Sequence, residues 1–122
     1  MKSYTDLEQS KKLAEFLPLD SADMCYPRDA FAFHYDKEPV CHYTGIGLSH
    51  PCWSLTGLLE IVKKQGPLPY KNGLVFPCIE IIPQCSVEYS NANGDVAYYC
   101  EADNLVDACY EMIVKLHEQK LL

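Results

Sequence analysis

Three observations place this chain in the α+β class: a capped amphipathic helix at the C-terminal end, a turn-delimited pair of β segments just before it, and two helical stretches upstream. The expected architecture is a small antiparallel sheet of about three strands, including a hairpin at Asn93-Gly94. Three helices, at about 5–17, 54–65 and 104–119, are expected to cover it, with an extra aromatic β-hairpin near 30–44.

The C-terminal helix is the best marked. Asn104 is a good N-cap, and Asp107 stands where its carboxylate reaches free backbone N–H groups. Leu105, Ala108, Cys109, Met112 and Leu116 recur at about 100° per residue and form one stripe that must face a core. Asp107, Glu111, Lys115 and Glu118 make a narrow solvent face. Val106, Tyr110, Val114 and His117 lie between and widen the uncharged arc, so two neighbours are expected, a sheet and another helix.

At the start of the chain, Thr5 and Glu8 have the spacing of a capping box. Leu7, Leu13, Ala14, Phe16 and Leu17 form the apolar side, Glu8, Lys11, Lys12 and Glu15 the wet one, and Pro18 ends the helix. The middle helix has Ser54 as its cap, Trp53 positioned to staple onto Leu58, and a stripe of Leu55, Leu58, Leu59 and Val62. Lys63, Lys64, Gly66 and Pro67 terminate it. Gly57 in its interior costs about 1 kcal/mol against alanine, which implies that something approaches its backbone closely.

Between these helices Phe31, Phe33 and Tyr35 alternate with smaller residues, and Val40 to Thr44 alternates again after a turn at 36–39, the pattern of a short hairpin. Further on, 74–89 is rich in Val, Ile, Phe and Tyr but broken by Pro77 and Pro83, which suits one long bent strand or two short ones at a sheet edge. Asn93-Gly94 then turns the chain into a return strand at 96–102.

Composition bounds the function. With 122 residues, 48% hydrophobic and 22% charged, the chain fits one folded domain spanning 1–122. No apolar run approaches the length of a membrane span, and the first residues lack a secretory pattern, so no membrane association and a cytoplasmic location are expected. In that compartment the 7 cysteines are expected as free thiols. A net charge of -7, from 17 acidic and 10 basic residues, argues against a nucleic-acid backbone as partner. The sequence calls for no cofactor and leaves the oligomeric state open.

The blocks LEQSKKLAEFLPLDSADM, PCWSLTGLLEIV and EADNLVDACYEMIVKLHE together resemble a group of short uncharacterised proteins of gut Bacteroidetes genomes and their mobile elements. The stretch Glu101 to Leu116 is also distantly similar to the end of the phage ABA-sandwich domain, in which a strand delivers an alanine, an acid or amide cap and an Ala-Cys helix. That second resemblance implies a small α+β domain with helices covering an antiparallel sheet. Neither implies an activity.

Two candidate sites follow from residue types. Tyr26, Arg28, Phe31, Phe33, Tyr35 and Tyr43 make 26–44 the most aromatic part of the chain, and Tyr and Arg are enriched where proteins bind one another. The same rings also suit the cover of a small core. The other constellation is Cys41, His42, His50 and Cys52, a donor set for tetrahedral zinc, although adjacent strand residues point to opposite faces. Within it Cys52, near a helix start and two residues from His50, has the makings of a thiol nucleophile. The sequence thus favours a non-enzymatic binding or adaptor module for an unidentified protein partner, with its contact surface in 26–44. A metal- or thiol-dependent site at Cys41, His42, His50 and Cys52 is the alternative.

Overall fold

The C-terminal helix forms where its cap signals place it. In the computed structural model, which describes residues 2–27, 38–41 and 49–122, helix α3 runs Leu105–Glu118. Asn104 Oδ1 accepts from Asp107 N at 2.9 Å, and Lys2 Nζ pairs with the Asp107 carboxylate at 2.8 Å. The whole stripe of Leu105, Ala108, Cys109, Met112 and Leu116 is buried, together with Val106 and Ile113. Each large side chain in it contributes on the order of 1.5–3 kcal/mol by leaving water. His117, on the flank, is exposed.

The other helices are α1, Leu7–Ala14, and α2, Leu55–Gln65, with a short 3-10 turn at Leu19–Ser21. The strands are β1, Met24–Tyr26; β2, Val40–Cys41; β3, His50–Cys52; β4, Leu68–Tyr70; β5, Gly73–Glu80; β6, Cys85–Ser90; and β7, Val96–Ala102. The α+β class holds; among the described residues there are three α-helices and two antiparallel sheets, β2-β1-β3 and β4-β5-β6-β7, where a sheet of about three strands and an extra hairpin near 30–44 are expected. The chain divides into two compact units, Ser3–Gly57 and Leu58–Leu122 with Met1–Lys2, the division falling inside α2.

In the larger unit, α3 packs across β6 and β7. Val87 and Tyr89 of β6 and Cys100 of β7 are buried on the side of the sheet it covers, as are Val75 and Leu68. Tyr89 and Tyr98, paired in register, meet edge to face at 6.4 Å, and Tyr89 Oη donates to Val62 O at the end of α2. The Gln65 side-chain amide, at the end of α2, donates to Leu121 O, beyond the end of α3. The segment 74–89 resolves into two strands joined at a turn that carries the cis Ile82–Pro83 peptide. Pro77 is tolerated because, among the described residues, β4 pairs with β5 only from Gly73 to Val75, leaving the outer edge beyond it without a ladder to break. Gly94 takes φ +86 in the β6–β7 turn, and Asn91 ties it by accepting from the backbone of Asn93 and Asp95.

In the smaller unit, α1 packs on β3. Its start corrects the capping-box expectation by one residue. Asp6 is the N-cap, accepting from Gln9 N at 2.8 Å while the Gln9 side chain accepts from Asp6 N. Thr5 is fully buried instead, because 3–5 runs antiparallel to 53–55: Thr5 N donates to Trp53 O, and Leu55 N to Ser3 O. The helix also ends at Ala14, short of 17, although Leu17 N still bonds Leu13 O before Pro18. For the hairpin near 30–44, residues 28–37 and 42–48 lie outside the described residues; Val40–Cys41 pairs with Met24 and Cys25. Ser54 caps α2 as expected, accepting from Gly57 N at 3.1 Å.

Asp23 explains Gly57. Its carboxylate accepts from Ser54 N and from the Ser54 hydroxyl, and a Cβ at Gly57 would stand 2.7 Å from Asp23 Oδ1. Gly57→Ala is therefore expected to destabilise the protein by about 1–2 kcal/mol in urea unfolding, because Asp23 must give up those bonds. In an Asp23→Ala background the same change is expected to stabilise, by up to about 1 kcal/mol of helix propensity. Loss of stability in both backgrounds would contradict this account.

Burial also sets an alkaline limit. It pushes the Tyr89 phenol up from 10.0 to about 12 and the Cys109 thiol up from 9.0 to about 12. Both groups are neutral when protonated and hold the proton more tightly when folded. Their contribution is fully present below the unfolded values and is lost as pH rises through 9 and 10 towards about 12. The urea midpoint is expected to fall from about pH 8 to about pH 11, and to fall less in Cys109→Ala than in the parent.

Candidate functional site

Of the residues singled out from the sequence, Tyr26, Cys41, His50 and Cys52 are among the described residues. Tyr26 is 3% exposed, and its hydroxyl donates to Thr5 O at 2.7 Å, so its ring belongs to the interior of the smaller unit. Arg28, Phe31, Phe33, Tyr35, Tyr43 and His42 lie outside the described residues. Cys41 and Cys52 register with Met24 from opposite sides, two strand spacings or about 9.5 Å apart. His50 pairs with Tyr26, and its Nδ1 lies 2.8 Å from Pro51 O.

Cys52 is fully buried. Its thiol donates to Thr5 O at 3.4 Å and lies 3.6 Å from Thr5 Oγ1. Burial is the largest influence on this thiol and pushes it up, against the bonds from Thr5, Ser10 and Tyr26. That direction is opposite to the one that makes a nucleophilic thiolate. Thr5 Oγ1 also accepts from Trp53 N at 3.2 Å and meets Ser10 Oγ at 2.7 Å, which makes Thr5, Ser10, Cys52 and Tyr26 a satisfied polar cluster.

The four-stranded sheet presents a different surface. An antiparallel sheet covered on one face ordinarily carries polar residues on the other. On β5 the face opposite α3, which no described helix is seen to cover, carries Leu74, Phe76, Cys78 and Glu80, all exposed, with Leu74 at 50% and Phe76 at 53%. Register extends this face in rows. Cys78 lies beside Glu88, and Glu88 beside Tyr99; Glu80 lies beside Ser86, and Ser86 beside Glu101. The apolar end is thus Leu74 and Phe76, and the acidic end is Glu80, Glu88 and Glu101, with Tyr99, 45% exposed, across from Cys78.

Charge on this face is one-sided. The ion pairs among the described residues are Lys2 with Asp107, Lys11 with Glu8 and Lys12 with Glu15, none of which reaches Glu80, Glu88 or Glu101. Tyr99 Oη donates to Glu101 Oε2 at 3.0 Å, and this bond, followed by desolvation and the nearby carboxylates, raises the phenol. Ser86, beneath them, is only 4% exposed. Lys115 Nζ reaches Tyr99 O at 3.1 Å from the edge, which occupies part of the free side of β7.

Cys78, Glu80 and Glu88 offer one donor atom each within 4.8 Å of one another. Two carboxylates at that separation repel by on the order of 1 kcal/mol even at the dielectric of water. A cation relieves that repulsion, whether a metal ion or a lysine or arginine from another chain. The trio supplies three donors, of which Cys78 and Glu80 are exposed, one short of the four protein donors that close a structural zinc site. A solvated lysine or arginine needs no such closed donor set.

No family model, curated protein or solved structure matches this chain. Its chemistry rests on its own residues. The outer-face residues escape the sequence reading because Pro77 and Pro83 obscure the alternation in 74–80, although that alternation puts apolar residues on both faces of β5, a signal for a surface with a partner. Thiol labelling of the native protein is expected to modify the exposed Cys78 at once and to leave Cys52 and Cys109 unmodified until urea is added. Rapid native labelling of Cys52 would contradict its place in the interior.

Proposed function

We propose that this chain is a non-enzymatic binding module, and that its contact surface is the uncovered face of the four-stranded sheet, which receives an extended segment of another protein. The observation that carries this reading is Leu74 and Phe76, half exposed and adjacent on a face where polar residues belong. Ile81 and Ile82, in the turn after β5, are also exposed, at 58% and 85%. Beside it, the β5 edge beyond Val75 offers backbone groups that no described strand takes, the situation in which peptides add to sheets. A second copy of this chain is disfavoured by its net charge of -7 and by the carboxylates on the face itself. Among the described residues, no helix is long and apolar enough to cross a membrane. The aromatic segment at 26–44 remains a second contact region on its composition alone.

A photo-crosslinking residue in place of Phe76 tests this reading. Irradiated in lysate of the native host, it is expected to give a discrete polypeptide adduct that Leu74→Ser weakens several-fold, while the same group at Glu8 on α1 gives none. Identical adducts from both positions, or none from position 76, would remove the face from consideration.

A further inference from the structure

The uncovered face also specifies the chemistry of its occupant. We infer that it takes a basic, partly apolar segment in extended conformation, with apolar side chains over Leu74 and Phe76 and alternate lysine or arginine side chains over Glu88 and over Glu80 and Glu101. This rests on the binding reading above.

Along β5 the outward residues follow every second position, Leu74, Phe76, Cys78 and Glu80, so they repeat at about 6.6–6.8 Å. A second extended chain laid along the strand has the same repeat, and its alternate side chains fall over the same rows. The first two rows offer Leu74 and Phe76. The third offers Glu88 between Cys78 and Tyr99, and the fourth offers Glu80 and Glu101 on either side of Ser86. An occupant that matches all four rows carries two alternate apolar residues followed, in one direction or the other, by two alternate cations.

No cation among the described residues answers these carboxylates, so an arriving lysine or arginine relieves a repulsion already present in the free protein. Tyr99 contributes a flat ring beside Glu88 and a hydroxyl held by Glu101, a setting in which a cation can lie against the ring while it pairs with a carboxylate. An acidic segment meets three carboxylates and is rejected. A wholly apolar one leaves the acidic rows without partners.

Three synthetic nonapeptides test this by fluorescence anisotropy. Each alternates threonine with two valines and then two lysines, two glutamines or two glutamates. The lysine peptide is expected to bind the full chain most tightly, the glutamine peptide several-fold more weakly and the glutamate peptide not at all. Glu80→Gln, Glu88→Gln and Glu101→Gln are each expected to weaken the lysine peptide about two- to five-fold, the range of exposed ion pairs. Raising salt until the screening length is about 3 Å is expected to erase the preference for lysine.

Phe76→Ser separates the two levels of the argument. If Phe76→Ser weakens all peptides while lysine and glutamine bind alike, the face is a binding site and the charge inference fails. If no peptide responds to Phe76→Ser, the face itself fails. Zinc ions that bind the free protein through Cys78, lose affinity in Cys78→Ser and are not displaced by the lysine peptide would overturn the inference in favour of a metal site. A dimer dispersed by Phe76→Ser would overturn it in favour of a second copy. Circular dichroism and urea midpoints of the exposed-site variants are expected to match the parent, which keeps a folding defect apart from a binding one.

Discussion

The larger unit depends on one constraint: a four-stranded antiparallel sheet has two faces, and α3 covers one of them across β6 and β7. A helix of this length spans about 21 Å and presents a stripe from Leu105 to Leu116 that is buried almost completely against Val87, Tyr89 and their neighbours. That packing fixes the register of the sheet, because a slip of one residue would exchange Val75, Val87 and Tyr89 with the residues of the other face. With the register fixed, the second face has no freedom to hide Leu74 and Phe76. Their exposure is the consequence of a well-packed first face.

The smaller unit is held in a different way. Among the described residues its strands are two or three residues long and contribute few ladder bonds, so side chains carry more of the connection. Thr5 is the centre of this: its hydroxyl, amide and carbonyl together engage Trp53, Ser10, Cys52 and Tyr26. Asp23 does the same for the start of α2, holding Ser54 at the helix cap and leaving room at position 57 only for glycine. Removing one member of either cluster leaves a buried or capping group without its partner, which costs more than the bond itself contributes.

Much of this was legible in the sequence where a local chemical signal had no competitor. Asn104 with Asp107, Ser54, and Asn93-Gly94 each marked a terminus or a turn that the structure contains. Gly57 announced a close approach, and Asp23 proves to be what approaches. The start of α1 was read one residue too early, at Thr5 with Glu8, because tertiary contact decides it: Thr5 is needed by Trp53 and the cap passes to Asp6. Strands β1, β3 and β4 were illegible because three residues cannot display a period, and Pro51 and Pro69 lie inside two of them, whereas β2 falls within the strand expected at Val40 to Thr44.

The candidate surface was hidden for a related reason. Which residues share a row across β5, β6 and β7 depends on register, and register is a property of the pairing, not of any one strand. Glu80, Glu88 and Glu101 are spread over 22 residues of sequence and meet only because two turns bring them into adjacent positions. The most direct measurement on the account as a whole is an amide chemical-shift titration of the isotopically labelled chain with the valine-lysine peptide. The account expects the perturbed residues to cluster at 74–80, 86–90 and 97–101 while α1 and the exposed side of α3 stay unmoved. Perturbations centred instead on 26–44, with β5 to β7 silent, would contradict it.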